Sequence, residues 1–198
     1  MIEKLPFFFE SLRSAYQKGL DPIELIEEVY RRITRVNDPG IFINLREKEE
    51  VKLEAAKLSE KKVLNKPLWG IPFVIKDNID ASGIPTTAAC PAFAYTPKKD
   101  SFVVNRILTA GALLIGKTNL DQFATGLVGT RTPYTPPKNT FNKEIIPGGS
   151  SSGSAVAVAQ GLASFALGTD TAGSGRVPAA LNNIVGLKPT LGALSNSG

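Results

Sequence analysis

From Leu68 onward the chain repeats one pattern: short, nearly unbroken apolar runs, punctuated by Gly and Pro and separated by helix-like stretches. Gly70-Ile-Pro-Phe-Val-Ile75 reads as a buried strand that ends at Lys76, Ala112-Leu-Leu-Ile115 as a second, and Ser164-Phe-Ala-Leu167 as a third. Between them the pattern predicts a helix over Ser101–Ala110, a short one over Asn119–Thr125 and a small-residue helix over Ser150–Leu162. Strands that are apolar along their whole length must be covered on both faces. The expectation is therefore an α/β fold, a mixed sheet covered by helices on both faces.

The first sixty residues have a different character. Asp21 as N-cap, Pro22 at the first helical position and Glu24 in the first turn start a helix. Its apolar face is Ile23, Ile26, Val29, Tyr30 and Ile33, and Asn37-Asp-Pro-Gly40 ends it. A second, highly charged helix is expected over Arg46–Lys62, with Val51, Leu53, Ala56 and Leu58 as its sparse apolar positions. We read residues 1–65 as a helical N-terminal layer of the same domain as residues 66–198.

Histidine is absent from the whole sequence. That excludes a Ser-His-Asp triad, a Cys-His dyad and any histidine-containing zinc site. The single cysteine, Cys90, allows no intrachain disulfide, fits a cytoplasmic setting and is expected to be a small buried apolar residue rather than a nucleophile. The net charge of +5 is scattered. Lys48, Lys52, Lys57, Lys61 and Lys62 alternate with glutamates as on a solvated helix face, so no nucleic acid is expected as a partner. No apolar run is long enough to cross a membrane, and the N-terminus lacks the cleavage site of a secretory signal.

Two glycine-serine clusters dominate the second half: Pro147-Gly-Gly-Ser-Ser-Ser-Gly-Ser154 and Gly168-Thr-Asp-Thr-Ala-Gly-Ser-Gly-Arg176. Both join core-forming apolar segments, which a flexible linker would not do. Gly111-Ala-Leu-Leu-Ile-Gly-Lys117-Thr118 has the spacing of a phosphate-binding loop, but four apolar residues fill it and read as strand. The chemical reading is a nucleophile on a tight turn. Ser174 lies between two glycines soon after a strand, and the N–H groups of Thr171, Ala172, Gly173 and Ser174 could face a developing oxyanion. Without histidine, the base must be a lysine, a carboxylate or another hydroxyl. Lys76 is the candidate, because burial at a strand end lowers a lysine pKa. The plainer alternatives are a turn serine at 174, a solvated aspartate at 170 and helix N-cap hydroxyls at 151 and 152. Phe7-Phe-Phe9 reads as a packing cluster that could also cover a subunit interface.

The run Gly148–Arg176, with Lys76-Asp-Asn78 and Gly116-Lys-Thr-Asn119, resembles the amidase signature family. The resemblance spans about Leu68 to Thr190. It implies the amidase signature fold and a Ser–cis-Ser–Lys triad: Lys76 as base, Ser150 as the bridging serine in a cis peptide, Ser174 as the acyl-forming nucleophile. Asp170 and Arg176 would order the loop behind them, and Ala124, Gly126 and Arg131 would contact substrate. No metal and no cofactor is implied. Gly83–Tyr95, Asn119–Arg131 and Gly173-Ser-Gly-Arg-Val-Pro178 are most similar to the allophanate hydrolase subgroup, with Ser152 departing from the glycine common in relatives. That implies a small-molecule amide substrate, a homodimer and association with a biotin-dependent urea carboxylase. An amidotransferase A-type subunit that works only in a complex, or another small-amide amidase, is the competing reading. The family domain extends further than this sequence, so residues 66–198 are expected to be the N-terminal half of the catalytic core. Groups that bind a substrate carboxylate would then lie further along the chain.

Overall fold

The computed structural model describes residues 2–61 and 66–198. Among these residues four strands form one sheet in the order β1-β3-β2-β4: β1 is Phe42–Leu45, β2 Pro72–Lys76, β3 Leu113–Thr118 and β4 Phe165–Leu167. β2 runs parallel to both β3 and β4, whereas β1 pairs antiparallel with β3, so the sheet is mixed.

Among the described residues six α-helices surround it: α1 (Phe9–Gln17), α2 (Pro22–Val36), α3 (Lys48–Lys61), α4 (Phe102–Thr109), α5 (Ser152–Ala159) and α6 (Arg176–Leu181). Strand alternation divides the core in two. Val74, Leu113 and Ile115 face a cluster with Leu12 of α1, Leu25, Ile26 and Val29 of α2, Val51 and Ala55 of α3, and Val156 and Ala157 of α5. Phe73, Ile75 and Leu114 face the other cluster, which includes Val104 of α4. Both faces of the central strands are covered, as their unbroken apolar character requires. Among the described residues no helix is long and apolar enough to cross a membrane.

Local chemistry sets the helix ends. The Asp21 carboxylate accepts the N–H of Ile23 at 2.7 Å, and Asn37 closes α2 in the left-handed conformation. Ser101 caps α4 through the N–H of Val104 at 3.4 Å. The α3 expectation reached Lys62, which lies outside the described residues.

Three expectations need correction. The N-terminal layer is not wholly helical: Phe42-Ile-Asn-Leu45 is an edge strand, and the alternation signal is weak in four residues flanked by charge. Asn119–Thr125 contains only a 3-10 turn over Gln122–Ala124, because Phe123 and Ala124 both have positive φ, 52° and 58°. The small-residue helix begins at Ser152 rather than Ser150 and stops at Ala159, ahead of Gly161 with φ 66°.

Candidate active site

Lys76 ends β2 and Lys117 is the penultimate residue of β3, and the register sends them to opposite faces. Lys76 pairs with Thr118 and Lys117 with Ile75 across β2 and β3. Lys76 therefore shares the face of Val74 and points at α5, whereas Lys117 shares the face of Ile75. Both side chains are fully buried.

Lys76 Nζ lies 2.6 Å from Ser150 Oγ and 2.7 Å from Thr169 Oγ1. Burial drives its pKa from the ordinary 10.5 down to about 7, opposed by the negative charges of Asp121 and Asp170. Ser150 sits on the turn before α5, and the Gly149–Ser150 peptide bond is cis. The next residue ties this turn to the loop that carries Ser174, since Ser151 N–H donates to the Ser174 carbonyl at 3.0 Å. The structure thus brings Lys76, Ser150 and the Ser174 segment together from β2, the α5 entry and the loop after β4. Ser174 is buried, and among the described residues its hydroxyl has no hydrogen-bond partner.

Asp170 shapes the loop around Ser174. Its carboxylate accepts the N–H of Gly173 at 2.7 Å and those of Gly175 and Arg176 at 3.1 Å. It also takes a two-pronged contact from the Arg176 guanidinium, 2.9 Å on each arm. These contacts, Arg176 foremost, hold the Asp170 carboxyl well below the usual range. One expectation changes as a result. The Gly173 N–H, expected to face the oxyanion, is committed to Asp170. The N–H groups of Thr171, Ala172 and Ser174 have no partner among the described residues.

Ser151 holds the N-cap position of α5, but its hydroxyl caps nothing. It bonds the main chain of Thr169 instead, at 3.3 Å to the carbonyl and 3.4 Å from the N–H. Ser152 is no cap either; its hydroxyl donates to the Asn119 carbonyl at 3.3 Å. Cys90 is half-buried rather than fully buried. Of the expected substrate contacts, Gly126 packs between Asp121 and Arg131, where a Cβ would come within 3.0 Å of the carboxylate and 3.1 Å of Arg131 Cδ. Ala124 is half-buried in the strained turn, and exposed Arg131 reaches the Thr125 carbonyl at 3.5 Å. Arg131 lines a cavity of about 500 Å³ with Gln122, Thr125, Thr132 and Pro133, and none of Lys76, Ser150 and Ser174 lines it.

The contact of Thr169 with Lys76 and the pairing of Lys117 with Asp77 are not among the expectations from the sequence. Lys117 Nζ lies 3.3 Å from Asp77 Oδ1 and 2.5 Å from Thr86 Oγ1, and burial pushes its pKa down against the pull of Asp77. A signal existed: Lys117 lies near the end of an apolar strand, as Lys76 does. The loop-like spacing around it is strand, with no room for a phosphate. Thr169 had no sequence signal beyond its glycine-rich surroundings. It accepts from Lys76, and Asn78 Nδ2 donates to it at 3.3 Å. Thr169→Val is expected to leave Lys76 without that acceptor and to lower kcat/KM about 10- to 100-fold, through kcat rather than KM. Steady-state kinetics check this; an unchanged kcat contradicts it.

The amidase family model matches residues 24–198. The chain is 65% identical to the urea amidolyase of Saccharomyces cerevisiae over 132 residues, covering 67% of this chain and 7% of that protein. It is 48% identical to a glutamyl-tRNA(Gln) amidotransferase subunit of Lawsonia intracellularis over 152 residues, covering 76% of this chain and 31% of the relative. Among solved structures, the allophanate hydrolase of Kluyveromyces lactis superposes with a TM-score of 0.83 at 46% identity, covering 96% of this chain and 32% of that one. The chain therefore spans between less than a tenth and about a third of these relatives' lengths.

Proposed function

We propose, because this chain belongs to the amidase family, that it supplies the triad of an amidohydrolase that cleaves allophanate and releases ammonia. The observation that carries the reading is the 2.6 Å contact between buried Lys76 and Ser150, on a turn hydrogen-bonded to the Ser174 main chain. A neutral amine has one lone pair. An N–H directed at Thr169 leaves that lone pair for the Ser150 O–H. Ser150 gives its proton to Lys76 and takes one from Ser174. The Ser174 oxygen bonds the terminal carbamoyl carbon, and the oxyanion is met by the N–H groups of Thr171, Ala172 and Ser174. The C–N bond breaks as the proton returns through Ser150, and ammonia leaves. Water then adds to the acyl carbon, giving up a proton to the relay, and the Ser174 oxygen departs with a proton, freeing a carboxylated carbamate.

Similarity to urea amidolyase and allophanate hydrolase favours allophanate over other amides. Supply of allophanate by a biotin-dependent urea carboxylase, assembly as a homodimer and a cytoplasmic setting belong to the same proposal. Exposed Phe8, beside buried Phe7, is the surface feature that suits self-association. The test is ammonia release from allophanate by the purified protein at its full natural length, without glutamine or tRNA. Turnover is expected. Ammonia release only from glutamine, and only in complex with partner proteins, would favour the amidotransferase reading.

A further inference from the structure

We infer that Asp121 is a positioning residue of this site, locking the turn that carries Ser150 to the loop 126–131 and so setting the Ser150 hydroxyl against Lys76. The inference rests on the reading of Lys76, Ser150 and Ser174 given above. Asp121 follows β3 and is fully buried. Its backbone N–H donates to the Ser150 carbonyl at 3.2 Å. One carboxylate oxygen accepts the N–H of Gly129 at 2.9 Å, and the other accepts that of Arg131 at 2.8 Å. Among the described residues no cation pairs with it, so these two N–H groups satisfy a carboxylate that burial would otherwise penalise.

The fit between the two segments is close. A Cβ on Gly149 would collide with Asp121 Oδ2, and one on Gly129 would collide with the Gly148 carbonyl. Gly149 N–H donates to the Leu127 carbonyl at 2.9 Å. The loop after β3 and the turn before α5 interlock around one carboxylate. That carboxylate also acts on the base. The groups facing Lys76 are the hydroxyls of Ser150 and Thr169 and, by charge, Asp121 from the loop after β3 and Asp170 from the loop after β4. The Lys117–Asp77 pair belongs to the other face of the sheet. Asp121 thus has two effects: it holds Ser150 in place and raises the proton affinity of Lys76.

The experiment uses the protein at its full natural length and a fluorophosphonate, which bonds a serine oxygen to phosphorus and expels fluoride while the serine proton passes to the base. The labelling rate of Ser174 is followed from pH 5 to 9 in the parent, Asp121→Asn and Asp121→Glu. Asn removes the charge, so the midpoint of the rise in rate is expected at lower pH than in the parent. Glu keeps the charge but displaces it, so the plateau rate is expected to fall about tenfold or more, as a small misplacement of a relay group does. A parental midpoint in Asn, or a parental plateau in Glu, overturns the inference. If Asn does not fold, the Glu plateau decides alone. A parent not labelled at Ser174 overturns the reading of the site and this inference with it. A labelled parent with unaffected variants overturns only the inference.

Discussion

Replacing Ser174 with alanine is expected to lower kcat/KM for amide hydrolysis by about 10⁴-fold or more, the scale on which loss of a nucleophile acts. The effect should fall on kcat. Ser174 sits on a loop that Asp170 holds through the N–H groups of Gly173, Gly175 and Arg176 and through the Arg176 side chain. None of these contacts uses the Ser174 hydroxyl, so the variant should keep its loop and melt near the parent temperature. Its main-chain carbonyl still accepts the Ser151 N–H. Kinetics and a thermal melt together check this. A variant that folds and turns over within tenfold of the parent contradicts the assignment.

The second large effect is expected from Lys76→Met, about 10³-fold in kcat/KM at neutral pH, within the range general bases contribute. In the proposed mechanism the working form of Lys76 is the neutral amine. Activity should therefore rise with pH through a midpoint at about 7 and level off above it. Met has nearly the length of Lys, but its thioether cannot take up a proton in this pH range, so that rise should vanish. Stability follows the same titration. Because burial lowers the folded-state pKa below the unfolded value, the unfolded chain binds a proton between about pH 7 and 10.5 that the folded chain does not. Parental stability should then increase with pH across that window, by up to about 1.4 kcal/mol per pH unit. Lys76→Met should lose the slope and melt no lower than the parent at pH 7. A dead variant that remains stable separates the role in the reaction from a role in folding.

Most of the sheet was readable because its central strands are apolar on both faces and end in residues that break the run. β2, β3 and β4 each lie within three residues of the apolar stretches that announce them. β1 was not readable, since an edge strand packed on one side needs only a few apolar residues, and Phe42-Ile-Asn-Leu45 offers no more. In the site, Lys76, Ser150 and Ser174 stood out because each is anomalous for its surroundings: a charge at the end of a buried strand and serines among glycines. Thr169 and Asp121 did not, because a threonine after a strand and an aspartate in a loop are ordinary. Their importance lies in contacts far apart in sequence, Thr169 with Lys76 and Asp121 with Ser150. The oxyanion loop shows the remaining limit. Spacing marks four consecutive N–H groups, but only the Asp170 contact reveals that Gly173 is already occupied.

The central claim is that Lys76, acting through Ser150, activates Ser174. The most direct test is peptide mapping of the covalent adduct formed by a fluorophosphonate, in the parent and in Lys76→Met. The account predicts one adduct, on Ser174, with a formation rate that rises with pH around a midpoint near 7 in the parent and is largely lost in the variant. An adduct on Ser150, Ser151 or another residue, or a Lys76→Met protein that labels Ser174 at the parental rate, would contradict it.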